Sequence, residues 1–374
     1  MDASSPVTGP PPRDPNVRAR LVDLLRDAGA DDDLDQLVQI LASGVGLARD
    51  RTDRLNLKIT NSALREMRAA FALFAPYRHV PKVTVFGSAR TLPDDPLYRL
   101  ACEVAGALAD QGWMVVTGAG PGVMAAATEG AGRDRALGVN IKLPFEEVDP
   151  SLLRNDRKRV VMKYFFTRKL MLMKESAGFA VLPGGYGTLD EVFELLTLLQ
   201  TGKATPAPLV LLDVPGGTYW SGLDRFLRDE VVEPGRAGLD DLALYRIVDD
   251  ADDAAAEILG FYRNYHSIRY VGAHLVVRLR ASPTDGELDA LNREFADICR
   301  HGRIEATAPL PPEVADGDHV ELARIRLHFD RSKQGRLRAL VDMLNRLASA
   351  PAAAVPETSS AEAAAAPTDE DEET

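Results

Sequence analysis

The chain has 374 residues, of which 45% are hydrophobic and 27% charged, as in an ordinary folded protein of roughly two or three domains. Its formal net charge is −12, but more than half of that comes from acids after residue 356, where there is no lysine or arginine. Neither part has the basic stripe that nucleic-acid binding requires, and no run of about 18 apolar residues could span a membrane. We therefore expect neither a nucleic-acid nor a membrane partner.

The start of the chain and its cysteines point to a reducing compartment. Residues 1–16 are rich in proline, aspartate and serine, without the apolar stretch of a signal peptide. Cys102 and Cys299 should lie in different domains, so neither a disulfide framework nor a cysteine metal site is expected. These features predict a cytoplasmic protein.

The N-terminal part is predicted to be disordered over residues 1–15 and helical over 16–80. Apolar residues recur there at helical spacing, at 17–27, 34–48 and 62–74.

From residue 81 to 265, short β-branched or leucine-rich runs alternate with helical patterns, as in a doubly wound, parallel α/β sheet of the Rossmann-like kind. The predicted strands are 82–86, 113–117, 137–141, 178–182, 208–213 and 245–248. The predicted helices are 97–110, 122–132, 166–176, 188–201, 218–231 and 251–264.

Residues 268–347 are predicted to form a small α+β domain, because strand alternation returns there between amphipathic helices. Its role is either packing or dimerisation, or the sensing of a ligand. The tail, 348–374, is alanine, proline and acid and should be disordered. The predicted strands are 273–279, 303–308 and 323–329, the helices 285–300 and 333–347, and the connecting loop 310–318.

Histidine is absent from residues 81–265, since all six histidines lie outside that segment. If the chemistry is in the α/β domain, histidine cannot be its acid, its base or a zinc ligand. Carboxylates are the groups that remain. The histidines are His79, His266, His274, His301, His319 and His328.

The segment PGGYGTLDE, residues 183–191, joins a predicted buried strand to a predicted helix. Backbone N–H groups at a helix start lack partners and the helix dipole is positive there, which favours a phosphate. A carboxylate beside such a site is costly, so Glu191 is a candidate catalytic residue. Residues 188–191 also fit a capping box with Thr188 as N-cap, and this pattern leaves both interpretations open.

Two further loops should meet this turn at the same edge of the sheet. The segment GAGPGVM, residues 118–124, follows the second strand, and Gly87-Ser88 follows the first. Residues 120–125 match the dinucleotide fingerprint formally. However, that fingerprint belongs to the first strand–helix turn, and the expected ribose-binding acid is missing from the next strand. A phosphate or nucleotide cradle is the better interpretation.

Arg168 and Lys169 lie at the start of the helix before the PGGYGTLDE turn. Basic residues at a helix start oppose the helix dipole, and such a local misfit often marks a functional site. Arginine suits a phosphate because its guanidinium can donate two hydrogen bonds at once.

Together these motifs resemble the Lonely Guy (LOG) family, the phosphoribohydrolases that release cytokinin bases, whose members are often mislabelled lysine decarboxylases. The family pattern is Pro-Gly-Gly-x-Gly-Thr-x-x-Glu preceded by an Arg-Lys pair. The resemblance covers about residues 80–265. It is carried by Phe86-Gly87-Ser88-Ala89, residues 117–124, Phe166-Thr167-Arg168-Lys169 and residues 183–191.

The resemblance implies hydrolysis of the N-glycosidic bond of a nucleoside 5'-monophosphate, of the AMP or cytokinin riboside monophosphate type, to free base and ribose 5-phosphate. It implies Arg168 and Glu191 as the catalytic pair, no metal or other cofactor, and a homodimer or higher homo-oligomer. One departure is Ala125, where many long bacterial members have glutamate. The implied substrate-binding residues are Ser88, Gly118, Gly120, Gly122, Met124, Lys169, Gly184, Gly185, Gly187 and Thr188.

Two other functions are alternatives to this one. A non-catalytic nucleotide or cofactor carrier, or a sensor, could use the same fold, because fold does not fix function. A pyridoxal-phosphate lysine decarboxylase would need a lysine in a recognisable Schiff-base setting, and the sequence offers none.

Overall fold

The computed structural model describes residues 15–142 and 158–352. The predicted disordered ends, 1–15 and 348–374, lie almost entirely outside these residues. The chain divides into two compact units, one ending at Arg65 and one beginning at Glu66. The first helices are α1 (Pro15–Asp27), α2 (Leu34–Arg49) and α3 (Arg54–Phe74). No described helix is long and apolar enough to cross a membrane.

Seven parallel strands form the first sheet in the order β4-β3-β2-β1-β5-β6-β7, which confirms the doubly wound α/β fold. Most of its strand residues are buried, as expected when helices cover both faces. The strands are β1 (Lys82–Phe86), β2 (Met114–Thr117), β3 (Ala136–Ile141), β4 (Arg159–Met162), β5 (Gly178–Val181), β6 (Leu209–Leu212) and β7 (Arg246–Val248).

Helices pack on the two faces of this sheet around two separate apolar clusters. One cluster includes α5 and the inward side of α4, and the other includes α6 and α7. The helices are α4 (Pro96–Asp110), α5 (Val123–Ala131), α6 (Phe165–Lys174), α7 (Tyr186–Gln200), α8 (Tyr219–Phe226) and α9 (Ala251–Gly260).

Strand β4 was not predicted. It pairs with β3 at the edge of the sheet, and its apolar run is only the three residues Val160–Met162, directly after a charged segment. Predicted helix 218–231 is in fact α8 followed by a π-helical turn over Leu227–Val232.

The second sheet has four antiparallel strands in the order β10-β11-β9-β8, with α10 and α12 packed on one face. Its elements are β8 (Tyr265–Val271), β9 (His274–Leu279), α10 (Asp285–Glu294), β10 (Cys299–Ala306), α11 (Pro311–Asp316), β11 (Ala323–Phe329) and α12 (Gln334–Arg346).

The structure corrects three expectations here. Strand β8 was missed, and the predicted helix 285–300 ends at Glu294, after which the chain enters β10. The predicted loop 310–318 contains α11, whose Glu313 is buried between Arg278 and Arg324. Such an ion cluster depends on residues far apart in sequence, so local pattern does not reveal it.

Buried polar contacts join the two sheets. The Asn345 side chain on α12 accepts hydrogen bonds from the N–H groups of Asn264 (2.8 Å) and Tyr265 (2.9 Å). Its Nδ2 donates to the carbonyl oxygen of Phe261, at 2.6 Å. Arg338 is 2% exposed and ion-paired with Glu257, on α9. The second sheet is therefore fixed to the first and does not hang from a linker.

Candidate active site

The site lies at the carboxyl ends of β1 and β5, where the strand order reverses direction. Ligands of doubly wound sheets bind at this position. The N–H of Ser88, after β1, donates to the carbonyl oxygen of Pro183, after β5, at 3.1 Å. This bond confirms that the first and third predicted loops meet.

The second glycine turn packs directly on the first loop. The Val123 N–H, at the start of α5, donates to the carbonyl oxygen of Ser88 at 3.0 Å. Gly122 has φ +68°, and a Cβ there would overlap the backbone of Ser88 and Ala89. A Cβ on Gly87 would lie 2.6 Å from the Val123 side chain. Glycine is needed at both positions because the loops approach so closely.

Arg168 reaches across the sheet edge to the second glycine turn. Its Nε donates to the carbonyl oxygen of Val139, on β3, at 3.0 Å. Its guanidinium occupies the space where a Cβ on Gly118 would project, and the sulfur of Met124 lies on the same glycine. Gly118, Met124 and Arg168 are therefore in one cluster, as the resemblance implies.

The PGGYGTLDE turn leads into α7 earlier than the sequence suggests. The helix begins at Tyr186 with Gly185 as its N-cap residue and no side-chain cap. The capping-box interpretation of Thr188 and Glu191 is therefore wrong. The Thr188 hydroxyl instead lies over Gly184, where a Cβ would overlap it.

Glu191 is the most unusual residue of the site. It is only 5% exposed, and its Oε2 is buried without a hydrogen-bond partner among the described residues. Burial raises the pKa of its carboxyl group to about 7, although the positive charges of Arg168 and Lys169 act in the opposite direction. An unsatisfied buried carboxylate with a perturbed pKa is characteristic of catalytic sites.

Arg168 and Glu191 face the same space without bonding to each other. In the described part of the chain, no guanidinium nitrogen of Arg168 lies within 4.0 Å of a carboxylate oxygen of Glu191. The charge of Arg168 is nevertheless close enough to lower the pKa of Glu191. Burial also lowers the pKa of Arg168. The separation leaves each group free for a ligand.

Lys169, predicted to contact the nucleotide, forms two ion pairs with acids of α7. Its Nζ is 2.8 Å from Asp190 Oδ2 and 2.6 Å from Glu194 Oε2, both on α7. Its side chain is 12% exposed. In this structure the ammonium ties α6, which carries Arg168, to α7, which carries Glu191.

Three residues at the site were not predicted. Tyr219 donates its hydroxyl to the carbonyl oxygen of Gly184 at 2.7 Å, and Asn140 donates its amide to Ala119, at 3.3 Å. Glu66 accepts from Thr167 Oγ1 at 2.7 Å at the start of α6. Asn140 is predictable from the sequence, because it is a polar residue at the end of a parallel strand. Glu66 is not predictable from a local pattern, because it lies 101 residues from its partner Thr167.

The remaining predicted residues lie where expected on the three loops. Ser88, Gly120 and Gly122 line the β1 and β2 loops, and Gly185 and Gly187 flank the start of α7. A Cβ on Gly185 or Gly187 would meet no atom within 4 Å, so these two have open space above them. The structure thus brings the predicted set to one edge of the sheet.

Comparison with known proteins identifies relatives of this arrangement. The family model described as "Possible lysine decarboxylase" matches residues 122–258. The cytokinin riboside 5'-monophosphate phosphoribohydrolase of Mycobacterium tuberculosis is 32% identical over 163 residues, which are 42% of this chain and 83% of that protein. A probable cytokinin riboside 5'-monophosphate phosphoribohydrolase of Arabidopsis thaliana is 44% identical over 68 residues, 18% of this chain and 32% of that one.

Among solved structures, the molybdenum cofactor carrier protein of Chlamydomonas reinhardtii is similar, with 22% identity and a TM-score of 0.33, over 47% of this chain and 94% of that one. A likeness this distant carries no argument about activity. The identity and coverage of the mycobacterial enzyme, together with the motifs assembled at the sheet edge, establish that the chain belongs to the LOG family.

Proposed function

We propose that this protein hydrolyses the N-glycosidic bond of a nucleoside 5'-monophosphate, of the AMP or cytokinin riboside monophosphate type. The products are the free base and ribose 5-phosphate. The observation that carries this proposal is the buried carboxylate of Glu191, whose Oε2 has no hydrogen-bond partner among the described residues and whose pKa is influenced by the charge of Arg168. The names of its relatives agree with this reaction.

Glu191 is proposed as the catalytic carboxylate. Cleavage of an N-glycosidic bond passes through a state like an oxocarbenium ion, which a nearby carboxylate stabilises while it orients or deprotonates water. A pKa of about 7 suits a group that exchanges a proton near neutral pH. Water attacks the anomeric carbon, the bond to the base nitrogen breaks, and the base leaves with a proton.

Arg168 is proposed to bind the phosphate or to assist the departing base. Its fork of donors suits either group, and within residues 15–142 and 158–352 only its Nε donates a hydrogen bond, to the carbonyl oxygen of Val139. The turn from Gly184 to Thr188 is proposed to hold the 5'-phosphate at the start of α7, where unpaired N–H groups favour an anion. Ser88 and the turn 118–124 are proposed to contact the nucleoside. This scheme involves no cofactor.

The decisive experiment measures ribose 5-phosphate released from AMP, GMP, CMP, UMP and IMP by the wild type and by Glu191→Gln. We expect release from at least one nucleotide, and a loss of roughly 100-fold or more in Glu191→Gln. Nucleotide binding without any release by the wild type would instead support the non-catalytic carrier.

We also propose that the protein is a homodimer that uses α6 and α7 as its contact surface. Large apolar side chains of both helices are exposed, and several exposed apolar residues on neighbouring helices favour an interface. Because the same helices carry Arg168 and Glu191, a second copy would cover the site's open side. The exposed side chains are Phe165, Phe166, Leu170, Tyr186 and Phe193.

The cytoplasmic location remains a prediction from composition.

A further inference from the structure

A second pocket lies on the other face of the first sheet, away from α6 and α7. Its volume is about 450 Å³, within the range of small-molecule sites. Its wall comes from the outer side of α5, the start of β4 and the second glycine turn at Ala119 and Gly120. Of its lining residues, the proposed hydrolysis uses only Ala119 and Gly120, which belong to the turn 118–124.

Two arginines give this pocket its charge. Among the described residues, neither the Arg133 nor the Arg159 guanidinium has a hydrogen-bond or ion-pair partner, and Arg159 is half-buried. Arg159 lies flat across Gly138, where a Cβ would be 3.4 Å from its Nε. A half-buried guanidinium with free donors is suited to an anion, above all to a phosphate.

Among the described residues of the lining, one is an acid. Glu129 accepts a hydrogen bond from the Tyr98 hydroxyl, at 3.0 Å. With two arginines against this carboxylate, the described part of the lining has a net positive charge.

The pocket and the active site share the second glycine turn. Gly118 faces Arg168, whereas the next two residues face the pocket. Ala119 has φ +53°, a strained conformation for a residue other than glycine, and is held by bonds to Thr117 and Asn140. Strain of this kind persists where a backbone shape is needed by a site.

Ala125 keeps the pocket open. It lies on the pocket wall in the first turn of α5 and shares the lining with the two arginines. A longer acidic side chain at this position would project into the space and supply the arginines with a carboxylate.

We propose that this pocket is a second anion site, which binds the phosphate group of a small molecule distinct from the substrate. The two arginines bind the phosphate oxygens, and Ala119 and Gly120 form the floor. The occupant therefore touches the turn that also carries Gly118, under Arg168.

Isothermal titration with inorganic pyrophosphate tests the proposal without requiring turnover. We expect binding to the wild type, and an affinity weaker by roughly 10-fold or more both in the double variant Arg133→Gln/Arg159→Gln and in Ala125→Glu. Arg99→Gln, which removes an exposed arginine of α4 outside the lining, should keep wild-type affinity. Arg168→Gln weakens any binding of pyrophosphate at the proposed 5'-phosphate site and should keep the binding that the double variant and Ala125→Glu weaken. Thermal melting of each variant checks that it is folded.

Two outcomes overturn the proposal. One is pyrophosphate affinity that is absent in the wild type, or unchanged in both the double variant and Ala125→Glu. The other is an AMP affinity of Glu191→Gln that falls by roughly 10-fold or more when Arg133 and Arg159 are also replaced by glutamine, which would assign the pocket to the substrate. Neither readout depends on ribose 5-phosphate release, so a failure of the proposed hydrolysis is detected separately.

Discussion

At the scale of single residues, Glu191 lacks, in the described part of the chain, a hydrogen bond that usually stabilises a buried carboxylate. It is a buried acid whose Oε2 has no hydrogen-bond partner within the described residues, and its neighbours Asp190 and Glu194 raise its pKa further. Burying a charge without a partner costs free energy. The chain tolerates that cost at a position where a reactive carboxylate is useful.

This leads to a prediction about stability. Because the pKa of Glu191 rises from 4.5 to about 7 on folding, its ionisation opposes folding between those two pH values and most strongly above pH 7. Glu191→Gln should therefore raise the free energy of unfolding at pH 8 by up to about 3 kcal/mol, with little change at pH 4. Urea denaturation at both pH values measures this. An exposed control, Glu103→Gln, should change the free energy of unfolding by the same amount at both pH values. The same result for Glu191→Gln would show that burial of the ionised Glu191 carboxylate does not destabilise the fold.

Lys169 supports a second prediction, since its charge lowers the pKa of Glu191 and its ammonium joins α6 to α7. With Glu191 needed as a carboxylate, activity should rise with pH up to about 7. Lys169→Met should move this rise to higher pH and reduce kcat/KM at pH 6.5 by roughly 10-fold, the equivalent of one pKa unit.

Lys169→Arg should restore most of the activity, because a guanidinium can also bridge Asp190 and Glu194. A pH profile of Lys169→Met that keeps its midpoint, with only KM increased, would show instead that Lys169 binds substrate directly.

At the scale of elements, the sequence was sufficient wherever a pattern is local. The glycine turns, the parallel strands and the meeting of three loops at one edge all follow from short apolar runs ended by glycine. Strand β4 was not predicted because its apolar run, Val160–Met162, is short and follows a charged segment. The capping box of Thr188 was wrong because α7 starts two residues earlier. The Glu66 contact escaped because its partners are distant in the chain.

The turn before α7 gives the third prediction. A Cβ on Gly184 would overlap the Thr188 hydroxyl and come within 3.0 Å of the Ser88 nitrogen, whereas a Cβ on Gly187 would meet nothing within 4 Å. Gly184→Ala should therefore destabilise the fold by roughly 1–3 kcal/mol, as overpacking does. Gly187→Ala is the matched control and should retain the melting temperature of the wild type. Equal melting temperatures for both variants would contradict the close packing of the turn.

At the scale of the whole molecule, the apolar surface of α6 and α7 gives the fourth prediction. Tyr186 is 94% exposed and Phe166 is 56% exposed, which a monomer would leave in water. Light scattering should give roughly twice the chain mass of 40.6 kDa. The double variant Phe166→Asp/Phe193→Asp should give the mass of a single chain, because two charges would have to be buried at the interface.

Phe226 provides the control for this experiment, since it is exposed on α8 and not on the contact helices. Phe226→Asp should leave the mass at that of a dimer. A wild type that is already monomeric would remove the basis for the proposed contact surface.

The amide of Asn345 limits how this protein can be rearranged in evolution. It forms hydrogen bonds with the N–H groups of Asn264 and Tyr265 and with the carbonyl oxygen of Phe261. The backbone groups that follow α9 are therefore bonded by a side chain about 80 residues further along the chain. A recombination that exchanged the second sheet would have to bring α12 with its asparagine in register. Gene fusion or recombination at the boundary between the two sheets should therefore disrupt these hydrogen bonds. We expect the first and second sheets to be inherited as one unit.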